Sequence, residues 1–427
     1  MKGNPMTTQQ PIRVGIVGLG RGLTFIQQSQ PSVGMELVAL CDTWADRLDE
    51  VGRQHAVATY TDYDRFLEHD MDAVILANYY HEHAPFAIKA LKSGKHVMSE
   101  TASCLTAAEG AELLEEVERS GLVYMLADQY PFMVFNQEMR RLYQSGEVGQ
   151  FKYGEGEYIH PMSARFVNSI SAGMDHWRNW LPATYYCSHA LAPLMYITDT
   201  QPVAVTGFVV PHDYDDANKA LTVRRMDTAG LIIVEMDNGA IVKLLQYDLR
   251  GEGNWVRVHG NSGLMENVRG PGSHQVRVRK ERFDKAPGEP EERQYSPDFP
   301  EHHDEAMQSG HGGADFFMNL MFAEAVRSGV QPYFDVWRGV TMSLVGILAY
   351  RSALDGSRRI ELPDLRDATV RQQLLKDTWS PDPSRRTADD PYPSILGDVQ
   401  PSDAGRAFAE EVWADEAGLL YAGRAPE

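Results

Sequence analysis

The sequence predicts an α/β protein, a doubly wound parallel sheet followed by a second α/β domain of mostly antiparallel sheet. Three observations predict it. Between Pro11 and about Asp128, short apolar strands (Ile12–Val17, Glu36–Cys41, Ala73–Leu76, His96–Met98 and Val123–Ala127) alternate with helical patterns. That alternation is the mark of parallel strands joined by crossover helices. The first strand breaks into Gly18-Leu19-Gly20-Arg21-Gly22 ahead of a helix-like Leu23–Gln28. Farther on, Phe151–His160 alternates, and Gly230–Met236 and Ile241–Gln246 flank Asp237-Asn238-Gly239, read as a type I′ hairpin turn.

Each element of the first domain carries its own signal. The glycine loop suits a dinucleotide pyrophosphate, because glycines let the backbone approach the phosphates and the helix N-terminus faces the negative charge. Leu23 stands where the usual fingerprint has its third glycine. The second strand ends in Asp42, 20 residues beyond Gly22. A carboxylate there accepts hydrogen bonds from both ribose hydroxyls and repels a 2′-phosphate, so NAD is expected over NADP. The competing reading is a plain strand–helix turn with an incidental Asp. Thr106 with Glu109 forms a capping box, and Gly121 stops that helix. Ligands of such sheets lie at the carboxyl ends of the strands, which singles out Asn78 to His83, Glu100 and Gln129.

Composition narrows the function. The chain has 427 residues with Lys+Arg 40 against Asp+Glu 60, a net charge of −20. The absence of a basic block argues against nucleic acid or anionic membrane as partner and for small molecules. Cys41, Cys104 and Cys187 show no paired spacing, so free thiols in a reducing cytoplasm are expected. The polar Met1–Gln10 reads as a disordered leader, and Val340–Leu354 is a buried helix too short to span a bilayer.

In the second domain, Tyr153, Glu155, Glu157 and Ile159 share one face of the Phe151–His160 strand, with Lys152, Tyr158 and His160 on the other. The two glutamates read as solvated or interface charges before they read as a functional pair. His176-Trp177-Arg178-Asn179-Trp180 combines stacking rings with polar groups, as a sugar site does; a structural Trp pair in a loop is the even alternative. Val276–Ser309 reads as a charged, Pro-rich loop, and its adjacent His302 and His303 beside Asp304 lack metal-ligand spacing, so no metal is expected. Helices are expected over Ala314–Val326 and Ala404–Tyr421. The domains are drawn as 1–10 leader, 11–128 dinucleotide-binding, 129–364 substrate and oligomerisation, and 365–427 extension without chemistry.

The run from Ala77-Asn78-Tyr79-Tyr80-His81-Glu82-His83-Ala84-Pro85 through Gly94-Lys95-His96-Val97 to Ser99-Glu100 resembles the core of the Gfo/Idh/MocA family. These are NAD(P)-dependent proteins acting on sugars and cyclitols, with a Rossmann domain followed by an open-sheet α/β domain. The resemblance implies that Gly18, Gly20, Arg21, Gly22, Asp42, Asn78, His81, His83, Glu100 and Gln129 bind the cofactor. It also implies assembly into a homo-oligomer, a dimer or tetramer. Two departures stand out. Thr101 and Ala102 replace the lysine and proline of the family's E-K-P motif, and Tyr185 to Ala192 keeps only His189 of a D-x-x-x-H-x-x-D pattern. A threonine hydroxyl does not ionise near neutral pH and cannot take over the lysine's proton transfer.

Those losses resemble the family's NAD-dependent glycosidase branch, as do Tyr186-Cys187-Ser188-His189-Ala190-Leu191-Ala192-Pro193 and Gly310-His311-Gly312-Gly313-Ala314-Asp315. His189, Tyr186 and Glu100 become the catalytic candidates, and Trp177, Arg178, His311 and Tyr158 the substrate-binding ones. Three readings follow: an NAD-dependent dehydrogenase of a sugar, cyclitol or glycoside, a redox-neutral glycosidase that retains NAD, and an idle NAD-binding regulator. The dehydrogenase leads, because oxidation of a sugar hydroxyl is common to the first two.

Overall fold

The computed structural model describes residues 10–26, 29–251, 253–270 and 274–415. The leader, the end of the helix after the glycine loop, and the stretch from 416 onward lie outside them.

The first sheet comprises β1 (Ile12–Val17), β2 (Met35–Cys41), β3 (Ala58–Tyr60), β4 (Ala73–Leu76), β5 (His96–Glu100) and β6 (Tyr124–Ala127). All pairs are parallel, in the order β3-β2-β1-β4-β5-β6. The strand order reverses between β1 and β4, which opens the crevice where ligands of such sheets sit. Only β3, three half-buried residues, went unread in the sequence. The capping box is present as read, with Thr106 accepting from Glu109 N at 3.2 Å and Gly121 in the left-handed region at φ 66°.

The second sheet comprises β7 (Phe151–Ile159), β8 (Pro202–Val210), β9 (Ala229–Met236), β10 (Ile241–Tyr247), β11 (Asn254–Gly260), β12 (Leu264–Asn267), β13 (Val276–Arg279), β14 (Glu292–Tyr295) and β15 (Ile360–Glu361). Its order is β14-β13-β12-β11-β7-β10-β9-β8-β15, antiparallel except between β7 and β10. Two local readings need correction. Within Val276–Ser309, β13, β14 and the helix His303–Met307 stand where a loop was expected. Val276 and Val278 turn inward there, while Arg277 pairs outward with Glu266 and Glu292. The β9–β10 hairpin is not type I′, which needs positive φ at both central residues. Only Gly239 has it, at 79°.

Two helices lie directly on this sheet because glycines clear the way. A Cβ on Gly156 of β7 would meet Ala190 O at 2.0 Å, and one on Gly207 of β8 would meet Ala349 O at 1.9 Å. Ser188–Thr198 and Val336–Leu354 thus approach to backbone contact. On the opposite face Glu155 pairs with Lys243 and Glu157 with Arg269, so these carboxylates are structural ion pairs. The later chain also returns to the first sheet. Leu126 N of β6 donates to Phe334 O at 2.9 Å, and Tyr124 N to Gln331 Oε1 at 3.2 Å. No helix among the described residues is long and apolar enough to cross a membrane.

Residues 378–414 wrap the loops above the second sheet. Ser394 Oγ and Ile395 N donate to the buried Asp227 carboxylate at 2.6 and 3.0 Å, and Trp413 Nε1 donates to Asn168 O at 2.9 Å. The closing helix runs Asp403–Ala414. Removing the chain from 378 onward leaves Asp227, whose pKa burial already raises, without two of its donors. At about 1.5–3 kcal/mol for each bond to a charged group, the truncated protein should melt at least about 5 °C lower by calorimetry. It should still bind NAD.

Candidate active site

The nucleotide side is built from the carboxyl ends of the parallel strands. Gly18 sits at φ 90°, its N–H donates to Cys41 O at 2.9 Å, and a Cβ would meet Ala77 O at 2.4 Å. No other residue fits there. A Cβ on Gly22 would meet Gly18 O at 2.1 Å, so the loop is kept tight and bare. Asp42 is held at the tip of β2 by the N–H groups of Leu19 (2.7 Å) and Trp44 (2.8 Å). Each oxygen keeps a lone pair for a ribose hydroxyl.

Beside this cradle, Asn78 Oδ1, His81 Nδ1 and Gln129 Oε1 are buried without a hydrogen-bond partner. Unmade hydrogen bonds of buried groups are costly, and three together at strand ends mark a ligand surface. The residues present therefore fit a nicotinamide dinucleotide.

Arg21, in the glycine loop, ties this region to the second domain. Its Nε donates to Glu100 Oε1 at 2.6 Å, and Nη1 and Nη2 donate to Asp315 at 3.0 and 2.8 Å. Burial opposes its charge, but Glu100 and Asp315 outweigh that and hold the guanidinium firmly protonated. Asp315 is fully buried, and Arg21 and His311 overcome that burial to hold its carboxyl below the usual range.

Three further candidates have partners of their own here. Glu100 is engaged by Arg21 and, through Oε2, by Thr101 N at 3.3 Å, which ties it to the glycine loop. His311 donates from Nδ1 to Asp315 at 3.0 Å, so it joins the carboxylate that holds Arg21 of the glycine loop. His83 is buried with its ring nitrogens 3.1 Å from Ala102 O and 3.3 Å from Asn78 O, bracing the ends of two strands.

A second cluster of candidate residues centres on His189. The Ser188–Thr198 helix, seated on Gly156, brings its ring into a cage of tyrosines: Tyr130 at 4.6 Å, Tyr158 at 4.8 Å and Tyr186 at 5.0 Å between centroids. Nδ1 lies 3.0 Å from Asp128 Oδ2, and both residues are buried. A carboxylate only accepts, so Nδ1 carries the proton and, in the neutral ring, Nε2 keeps its lone pair. Burial pushes the Tyr158 hydroxyl well above the ordinary phenol range, so it stays a donor. Trp177 stacks on Tyr186 at 5.9 Å, and the Arg178 guanidinium lies 4.1 Å from the Trp177 ring. Trp180, by contrast, is buried with Nε1 bonded to Asp175 O, a structural residue.

Asp128, Tyr130, His160, Arg224 and Tyr247 were not read as site residues. Asp128 had a usable signal, since it directly follows β6 at the carboxyl edge of the sheet. Tyr247, at φ 92°, is an outlier for a non-glycine residue and turns its ring to within 6.0 Å of Tyr186. Among the described residues no group of three His, Cys, Asp or Glu could hold a metal.

Comparison with known families matches residues 12–128 to the oxidoreductase family with an NAD-binding Rossmann fold, and residues 208–371 to the glycosyl hydrolase 109 C-terminal domain. The chain belongs to the Gfo/Idh/MocA family. Its first domain binds NAD. A glycosyl hydrolase family 109 protein of Shewanella baltica is 25% identical over 397 residues, covering 83% of this chain and 84% of the relative. An alpha-N-acetylgalactosaminidase of Shewanella oneidensis is 23% identical over 400 residues, with the same coverage. Among solved structures, a levoglucosan dehydrogenase in complex with NADH and levoglucosan superposes with a TM-score of 0.72 at 18% identity. It aligns 83% of this Gfo/Idh/MocA chain with 100% of its own. An oxidoreductase domain protein from Kribbella flavida gives 0.70 at 17% identity, covering 83% and 100%.

Proposed function

We propose that this Gfo/Idh/MocA protein cleaves glycosides by a redox-neutral cycle in which NAD is retained. The observation that carries this reading is the His189–Asp128 pair inside a cage of tyrosines, with a buried Thr101 in the lysine's place. When bound, NAD supplies a hydride acceptor for a carbon of the sugar ring and returns the hydride at the end. His189 Nε2 takes the proton of the hydroxyl being oxidised, and Asp128 stabilises the imidazolium. The resulting carbonyl acidifies the neighbouring C–H, so a modest base suffices to expel the aglycone without two catalytic carboxylates, and water adds across the double bond so formed before the carbonyl is reduced again. Tyr186, 5.0 Å from His189, is the residue proposed to assist there, and Tyr158 keeps a proton beside the ring. Trp177 and Arg178 supply the stacking face and polar contact for the sugar.

A plain sugar dehydrogenase needs only the first of these steps, and the likeness of the fold to a levoglucosan dehydrogenase favours keeping it as the second reading. Incubating the purified protein with a panel of nitrophenyl glycosides separates them. Aglycone release without accumulating NADH, and without added NAD, is the expected result. NADH accumulating only when NAD is supplied, with no aglycone, establishes the dehydrogenase. Inertness in both assays returns the chain to an idle NAD-binding role.

A further inference from the structure

Arg224 is buried behind Tyr247, whose ring lies 6.0 Å from that of Tyr186. Its Nη1 donates to Asp248 Oδ2 at 3.0 Å, and its guanidinium carbon lies 5.2 Å from the Tyr247 ring. The side chain is 5% exposed, yet Nε and Nη2 have no hydrogen-bond partner. Among the described residues it is the one arginine with two buried nitrogens in that state.

Those two atoms form a single edge of the guanidinium, the edge that meets two coplanar oxygens side-on. The protein uses this edge elsewhere. Arg141 holds Glu138 through Nε and Nη2 at 2.7 Å each, and Arg359 holds Glu235 at 2.5 and 2.8 Å. Arg224 has the same fork and no carboxylate in it.

The surroundings ask for one negative charge. His160, whose Nδ1 is also buried and unpartnered, feels Arg178, Arg224 and His189, and burial together with these groups lowers its pKa. Lys219, buried beside Asp248 and Arg224, adds a further cation. Of the nearby anions, Asp248 is bonded to Arg224, Asp216 is held by Arg250 at 2.5 and 2.9 Å, and Asp213 is exposed.

We infer that the sugar received by this site carries a carboxylate, a uronic acid residue, bound by the Nε–Nη2 edge of Arg224. A monoanion fits better than a dianionic phosphate, because Asp248 sits on the same guanidinium and repels a second charge. The Tyr247 ring, which covers the guanidinium, moves aside as the carboxylate enters. This inference rests on the sugar reading above and adds the substrate class.

The test is calorimetric titration of the NAD-loaded protein with glucuronate and galacturonate, set against glucose, galactose and their 6-phosphates. Uronates should bind at least tenfold more tightly than the neutral sugars, and the sugar phosphates more weakly than the uronates. Arg224→Met should abolish the preference with NAD still bound, and Arg224→Lys should restore part of it, since the charge returns without the fork. Because Arg224→Met leaves Asp248 unpaired, Arg224→Met/Asp248→Asn repeats the test with the buried charge balanced. Neutral sugars binding as well as uronates, phosphates binding better, or a preference that survives the double variant each overturn the carboxylate and leave the glycoside reading standing. Failure of every sugar to bind overturns both.

Discussion

Asp128→Asn should lower turnover about 10²–10⁴-fold, the range for losing a positioned acid–base group, with NAD still bound. Asp128 fixes the proton on Nδ1 of His189 from 3.0 Å, and its other oxygen accepts from Tyr130 N at 3.1 Å. An asparagine is nearly isosteric but uncharged. It can offer its amide N–H to Nδ1, which moves the imidazole proton to Nε2 and removes the base. Even in the other orientation it cannot stabilise an imidazolium as a carboxylate does. His189→Ala should be at least as damaging, and the double variant no worse than His189→Ala, because the two act as a unit. The readouts are kcat on the responsive glycoside and the NAD content of the purified protein. A kcat for Asp128→Asn within threefold of the parent would falsify the assignment.

The second large effect lies at the nucleotide. Asp42→Ala should weaken NAD binding about 10²-fold or more, since two bonds to a charged acceptor contribute about 1.5–3 kcal/mol each and each 1.4 kcal/mol is tenfold. The loss has two origins. The ribose hydroxyls lose their acceptor, and the N–H groups of Leu19 and Trp44 lose theirs, so the glycine loop slackens as well. Removing the carboxylate also lifts the repulsion of a 2′-phosphate, so the ratio of NAD to NADP affinity should fall. Titration by nicotinamide fluorescence measures both, and unchanged NAD affinity removes Asp42 from the ribose.

What the sequence made legible was local. The Ile12–Val17 strand, the glycine loop, Asp42 at a strand end and the Thr106–Glu109 box all express their physics within a few residues, and each stands where it was expected. The partners of these groups were not legible. Nothing near His189 names Asp128 as its acceptor, 61 residues earlier, and nothing in the glycine loop points Arg21 at Asp315. Nor did anything local show that Glu100 and His311 join one network around Arg21 and Asp315. Strands β12 to β14 escaped because they are only four residues each, and their outward ion pairs disguised the alternation as loop polarity.

The tie between Arg21 and Asp315 spans 294 positions of chain, and the β6 edge is capped by residues still later, Gln331 and Phe334. At a synthesis rate of about 5–20 residues per second, the two sides of that tie leave the ribosome roughly 15–60 s apart. The β6 edge itself waits over 207 positions for its cap, roughly 10–40 s at that rate, while Arg21 has its Glu100 partner before Asp315 has emerged. An uncapped edge invites pairing with other chains. The nascent chain's hazard is thus greatest while its first sheet already looks complete.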